Sequence, residues 1–234
     1  MQQILFYAYI MVVMKTFEDI IARLERMVKM LEAEKEVVVE EFKVRPPLPR
    51  EEIEKVVARA RGENIEVPED VLDFYSVCNG FVLRWNLKKL EDELEVVGTA
   101  DVLPMEDVFS DWEGDLYFSD EPGLNERDGY DLTRAKVFDA FIEEAGILLY
   151  FGDSSERDYE MLYHYYGEGV KPLGWSLREY LNNLIRMRAL WYWQSDLIEA
   201  EGNVLEAFDW NDIAPEIYGA GLADLVKDIL LREV

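Results

Sequence analysis

Residues 67–81 read VPEDVLDFYSVCNGF. Pro68 suits the first position of a helix, where its missing N–H costs nothing. Glu69 and Asp70 follow at the positive end of the helix dipole. Val71, Phe74, Tyr75 and Cys78 share one face. Asn79-Gly80 accepts positive φ, so it stops the helix and turns the chain. The next residues, FVLRWNL at 81–87, read as a strand.

Working upstream, residues 50–62 form another helix, with Ile53, Val56, Val57 and Ala60 as a narrow apolar stripe and Gly62 as its C′ residue. The run VRPPLPR, 44–50, has three prolines within four residues and marks a linker or rigid turn. Residues 16–42 read as a helix on the spacing of Phe17, Ile20, Ile21, Leu24, Met27, Val28 and Leu31. Thr16 is its N-cap, with Asp19 three residues on. Val37, Val38 and Val39 are β-branched, so the end of this element is alternatively extended. Residues 1–13, MQQILFYAYIMVV, are apolar and uncharged. They fall short of the ~20 residues that span a bilayer and lack the flanks of a secretory signal. They read either as an extra strand or as an over-long start with Met14 the initiator.

Downstream, short strands are expected at 81–87, 94–99, 115–119, 136–141, 146–151 and 159–166. Pro122-Gly123, Asp128-Gly129 and Gly152-Asp153 mark turns between them. Ser176 with Glu179 completes a capping box for a helix over 176–190, whose apolar face is Leu177, Tyr180, Leu181, Leu184, Ile185 and Met187. Residues 191–234 read as helical, broken near 209–221 by Pro215, Gly219 and Gly221.

Charge is the strongest compositional feature. The 234-residue chain carries 50 acids, 24 bases and one His, a net −26. Residues 1–50 are net zero, whereas residues 91–131 hold fifteen acids and one base, Arg127. Residues 196–234 add ten acids and two bases. Bare nucleic acid and anionic membranes are therefore poor partners, and a basic protein is the expected one. Apolar residues such as Leu94, Val102, Phe109, Trp112 and Tyr130 alternate with the acids of 91–131. The segment therefore reads as folded, with carboxylates displayed from fixed positions. The acids of the C-terminal block read equally well as a solvated face.

Catalytic signatures are not found. The single His, His164, lies among Tyr163, Tyr165 and Tyr166 and reads as a packed strand residue. Cys78 lies on an apolar helix face and reads as core. One Cys excludes internal disulfides and Cys-based zinc clusters, and fits a reducing, cytoplasmic setting. No phosphate-binding glycine loop and no G-x-S-x-G nucleophile motif occurs. Asp111, Glu113 and Asp115, or Asp128 and Asp131, invite divalent cations, but neither group has EF-hand spacing, and no metal or cofactor is assigned.

The order of elements resembles the SUKH superfamily, which includes yeast cell-wall assembly regulators and bacterial immunity proteins. Pro68, Phe74, Tyr75, Asn79 and Gly80 match its helix motif. Leu103-Pro104 matches its apolar-proline element, and Leu177, Tyr180 and Leu181 match its terminal helix. Phe81 departs from the family pattern, and of its Gly-rich strand element only Gly146 and Gly152 remain. The resemblance spans residues 46–186, flanked by an N-terminal extension, 1–45, and a helical C-terminal extension, 187–234. It implies an α+β fold, with a bent, mostly antiparallel sheet and helices on one side. It also implies a non-catalytic module that neutralises a cognate toxin, often a nuclease.

On that reading Asp111, Glu113, Asp115, Asp120 and Glu121 are the charge contacts to a basic toxin domain. Trp112, Tyr117 and Tyr130 are candidate aromatic anchors, although Tyr117 and Phe118 read better as core. A regulator or scaffold without a toxin is the alternative. There, Leu190-Trp191-Tyr192-Trp193 would hold another protein or a second copy of the chain. An acid-based hydrolase is the third and least supported class.

Overall fold

Valine content decides where the first helix gives way to the sheet. In this computed structural model, helix α1 (Phe17–Ala33) buries Phe17, Ile20, Ile21, Leu24, Met27, Val28 and Leu31 along one face. Thr16 caps it by accepting the Asp19 N–H at 3.3 Å. The helix ends at Ala33 rather than near 42, and Val37–Val44 form strand β1. Three consecutive β-branched residues lose χ1 freedom in a helix and pack well on a pleated surface. The structure describes residues 16–88, 98–110, 126–152, 158–165 and 169–199.

Helices α2 (Arg50–Gly62) and α3 (Glu69–Val77) follow, with Pro68 at the N-cap of α3. Strands β2 (Phe81–Leu87) and β3 (Gly98–Val102) lead to the single-turn helix α4 (Met105–Val108). A small hairpin, β4 (Glu126–Arg127) and β5 (Tyr130–Asp131), precedes β6 (Ala135–Asp139), β7 (Ala145–Tyr150), β8 (Glu160–Tyr165) and β9 (Gly169–Pro172). Helices α5 (Leu177–Arg186) and α6 (Trp193–Glu199) close the described chain. This is an α+β fold.

The main sheet has seven strands in the order β1-β2-β3-β6-β7-β8-β9, every neighbouring pair antiparallel. Helices α1, α3 and α5 pack together on one face. Phe17 meets Phe74 at 5.6 Å, Phe74 meets Phe138 of β6 at 5.8 Å, and Phe138 meets Tyr180 of α5 at 6.1 Å. The Arg178 guanidinium lies 3.8 Å over the Phe17 ring, and Arg23 donates to Asn182 at 2.6 Å, tying α5 to α1. Where they are described, the segments read in sequence as terminal extensions share this core. Phe17 and Leu24 are buried at one end of the chain, Leu190, Trp193 and Leu197 at the other.

The sheet is split in its middle. Strands β3 and β6 register at a single pair, Val102↔Asp139, and then diverge. The wedge is filled by the turn after α5. The Thr99 N–H donates to the Ala189 carbonyl at 2.7 Å, Leu190 bridges Gly98, and Trp85 Nε1 donates to the Arg188 carbonyl at 2.8 Å. A side chain at Gly98 would collide with the Trp85 indole at 2.0 Å, so this close approach needs glycine. Arg188, Ala189 and Tyr192 all take left-handed backbone, with φ of 55°, 53° and 58°. That is why α5 stops at Arg186 instead of running to 190. The left-handed cost is offset by the bonds that the Arg188 and Ala189 carbonyls accept from Trp85 and Thr99.

Candidate partner-binding surface

Within the acidic segment, residues 111–125 are flanked by two described anchors, and the sequence motif at Asn79-Gly80 builds the first. Gly80 takes φ +79°, and a Cβ there would stand 2.2 Å from the Val102 carbonyl oxygen. The turn binds β1 on one side: the Asn79 N–H donates to the Arg45 carbonyl at 3.2 Å and the Arg45 N–H to the Gly80 carbonyl at 3.0 Å. On the other side Asn79 Oδ1 accepts the Met105 N–H at 2.9 Å, satisfying a free donor at the start of α4. Asn79 Nδ2 reaches both oxygens of Glu106, and the Tyr75 hydroxyl donates to the Leu103 carbonyl at 3.0 Å. Arg45 donates to the Val102 carbonyl at 2.9 Å and pairs with Asp101 at 3.3 Å. These contacts fix α4, and Phe109 just beyond it is buried 6.0 Å from Phe151.

The second anchor is the β4–β5 hairpin. Asp128 and Gly129 have φ of +51° and +87°. Positive φ at both central residues is the turn whose twist matches paired strands, and Asp-Gly is its usual sequence. Asp128 Oδ2 also accepts the Val170 N–H at 2.7 Å, which docks the hairpin on β9. Tyr130 is half-buried, its ring edge-on to Tyr150 at 5.1 Å. Burial, then the neighbouring Glu160 carboxylate, hold its phenol above the usual range. Asp131 accepts from both the backbone N–H and the hydroxyl of Thr133, at 3.0 and 2.6 Å.

The anchors meet at consecutive residues, Phe151 and Tyr150, at the end of β7. Neighbouring residues of an extended chain face opposite sides. The two flanks therefore grip opposite faces of one strand end. Among the expected contact residues, Tyr130 lies at this corner. Asp111, Trp112, Glu113, Asp115, Asp120 and Glu121 lie outside the described residues, as do Tyr117 and Phe118. Described acids near the anchors include the exposed Glu106 and Asp107 on α4 and Glu126 and Asp128 on the hairpin.

The groups with reactive potential are placed as packing residues. His164 is buried on β8, opposite Gly146 and Val170. Burial, then the Arg127 charge, lower its pKa to about 4. Cys78 is buried, and burial raises its thiol to about 12. In the LWYW run, Leu190 and Trp193 are buried in the chain's own core, and only Trp191 and Tyr192 are partly exposed. The expected docking surface is thus narrowed to two residues. A cleft of about 300 Å³ lies between Glu63, Asn64 and Ile65 on one side and Thr133 and Arg134 on the other. Its size is at the lower limit for small-molecule sites. Among the described residues no group of three or more His, Cys, Asp and Glu is placed to hold a metal, and no helix is long and apolar enough to cross a membrane.

One polar group has no signal in the sequence. Asp139, at the sheet split, is fully buried. Its Oδ1 accepts the Asp101 N–H at 2.8 Å and its Oδ2 accepts the Tyr180 hydroxyl at 2.6 Å. Gln194 Nε2 lies 3.5 Å from the same Tyr180 oxygen, while its Oε1 has no hydrogen-bond partner among the described residues. Burial raises the Asp139 carboxyl to about 7 against the lowering effect of those two donors. No family model matches the chain, and no curated protein matches it.

Proposed function

We propose that this chain is a non-catalytic, cytoplasmic protein-binding module that neutralises a basic, nuclease-type toxin domain through the acidic segment 91–131. The observation that carries this reading is the charge of that segment, fifteen acids against one base, five of them between the two anchors that meet at the end of β7. A nuclease presents a Lys/Arg groove to phosphates, and a dense run of carboxylates complements such a groove and steers its approach. Asp111, Glu113, Asp115, Asp120 and Glu121 supply the charge, with Trp112 and Tyr130 as aromatic anchors. The burial of His164 and Cys78 supports a non-catalytic role, since neither presents a base or nucleophile to solvent. The resemblance to SUKH immunity proteins, carried by Pro68, Phe74, Tyr75, Asn79 and Gly80, agrees with it.

The test is a pull-down from the source cells to identify a basic toxin domain, followed by reversal of the five acids of 111–121 to Lys. The reversal is expected to slow association at low salt and abolish protection from the toxin. Unchanged protection together with an unchanged on-rate would sink the proposal. A second reading, a regulator or scaffold of the same family, rests on the partly exposed Trp175, Trp191 and Tyr192. It gains if the protein sizes as a tight dimer and captures no toxin.

A further inference from the structure

We propose that Asp139 is a proton-operated latch across the split in the sheet: uncharged, it holds β3 to β6, and on ionising it loosens that junction alone. The reading does not depend on what the acidic segment binds.

The junction is thin. Around the one register pair, the Leu103 N–H donates to the Phe138 carbonyl at 2.9 Å and the Ala140 N–H to the Asp101 carbonyl at 3.0 Å. Two further bonds involve side chains: the Asp101 N–H donates to Asp139 Oδ1 at 2.8 Å, and the Thr99 hydroxyl donates to the Phe141 carbonyl at 3.0 Å. Other ladders are longer: β1 and β2 register from Val37↔Leu87 to Val44↔Phe81 with one shift between Val39 and Glu41, and β7 and β8 from Ala145↔Tyr165 to Tyr150↔Glu160 without a break. Asp139 also sits where the β6–β7 register shifts, between Val137 and Asp139, so its strand is irregular on both sides.

The surroundings stabilise a carboxylate less than water does. From β3 the charged neighbour is Asp101, a like charge that is itself engaged by Arg45 at 3.3 Å. From α5 the facing group is the neutral Tyr180 hydroxyl, and from α6 the nearest is the neutral Gln194 amide, on that hydroxyl. Asp139 forms no ion pair among the described residues. A buried carboxylate with two donors and no cation favours its neutral form, consistent with its rise to about 7. An opened junction admits water and restores the ordinary affinity for protons. Ionisation is therefore linked to opening. The strand that opens, β3, runs through Leu103-Pro104 directly into α4.

The test is amide hydrogen exchange on the full chain, corrected for intrinsic rates, followed at Asp101, Leu103 and Ala140 from about pH 5 to 8. Linkage predicts that the open fraction rises about tenfold per pH unit below about 7 and levels off above it. The amides of the β1–β2 ladder serve as reference and are expected to change much less. Asp139→Asn is expected to flatten the dependence. Should that variant fail to fold, Tyr180→Phe decides, because removing a donor to the carboxylate moves the levelling-off to higher pH. A flat wild-type profile overturns the latch, as does an equal change in the β1–β2 amides. A pH dependence that survives Asp139→Asn, or one unmoved in Tyr180→Phe, overturns it too.

Discussion

Replacing Gly80 with Ala separates the two reasons for a glycine at that position. The residue takes φ +79°, where an L side chain costs about 1–2 kcal/mol. The added Cβ would also stand 2.2 Å from the Val102 carbonyl oxygen and 2.8 Å from that of Leu103. Relief requires the end of β3 to move by about 1 Å, which lengthens the bonds that Arg45 and Tyr75 make to those two carbonyls, each worth about 1 kcal/mol. Alanine recovers a few tenths of a kcal/mol to about 1 by stiffening the unfolded chain. The net cost is about 3 kcal/mol. Gly129→Ala is the control: its φ is +87°, but nothing lies within 4 Å of the added carbon. It is expected to cost about 1 kcal/mol. Urea unfolding followed by tryptophan fluorescence compares the two at a shared m value. If Gly80→Ala is no more destabilising than Gly129→Ala, the reasoning about Val102 and Leu103 fails.

The chain has one His, so its imidazole proton signals report His164 alone. Proton NMR should place the titration midpoint near 4, and a midpoint in the ordinary range near 6.5 would contradict its burial. Because its folded pKa is depressed, His164 takes nothing from stability above about 6.5. Stability is lost as pH falls from there through about 4, where the unfolded chain binds the proton first. Cys78, buried and with its thiol raised to about 12, should react with a thiol reagent only at the rate of unfolding. Full labelling of native protein within minutes would refute its placement. Trp193→Ala removes an indole stacked on Trp175 at 5.9 Å and packed on Tyr180 at 5.4 Å. It should cost about 3–5 kcal/mol in the same urea assay, and a loss under about 1 kcal/mol would show that α6 is not packed on α5 as described.

The parts of the fold legible in sequence are those whose cause is local. Pro68, Glu69 and Asp70 begin α3 and Asn79-Gly80 end it, because dipole, proline geometry and positive φ act within a few residues. Ser176 and Glu179 form the expected capping box for the same reason. Val37–Val39 left helix and strand open, and pairing with Leu87, Asn86 and Trp85 settles the matter through contacts that no window reveals. The apolar pattern continues through Met187 and Leu190 and so predicts a helix to 190, whereas α5 ends at Arg186 because the left-handed turn at Arg188 is imposed by Trp85 and Thr99. Asp139 looks like any strand-end acid, and only the sheet split makes it a buried one. Of the candidate contact residues, Tyr130 carries no local signal of its geometry, whereas its packing on Tyr150 follows from the hairpin.

The plug in the sheet also fixes an order of events during synthesis. Trp85 waits for the Arg188 carbonyl, 103 residues later in the chain. Phe17 waits for Arg178, and α1 for α5. A nascent chain that has released β1, β2 and β3 still exposes the rim of β3 and one flank of its first helix. Residues up to Leu190 must be made before both are covered. Such late closure slows folding and leaves partly made chains open to misassociation. Stalling or premature termination between β9 and α6 should therefore yield aggregation-prone products rather than a stable shortened fold.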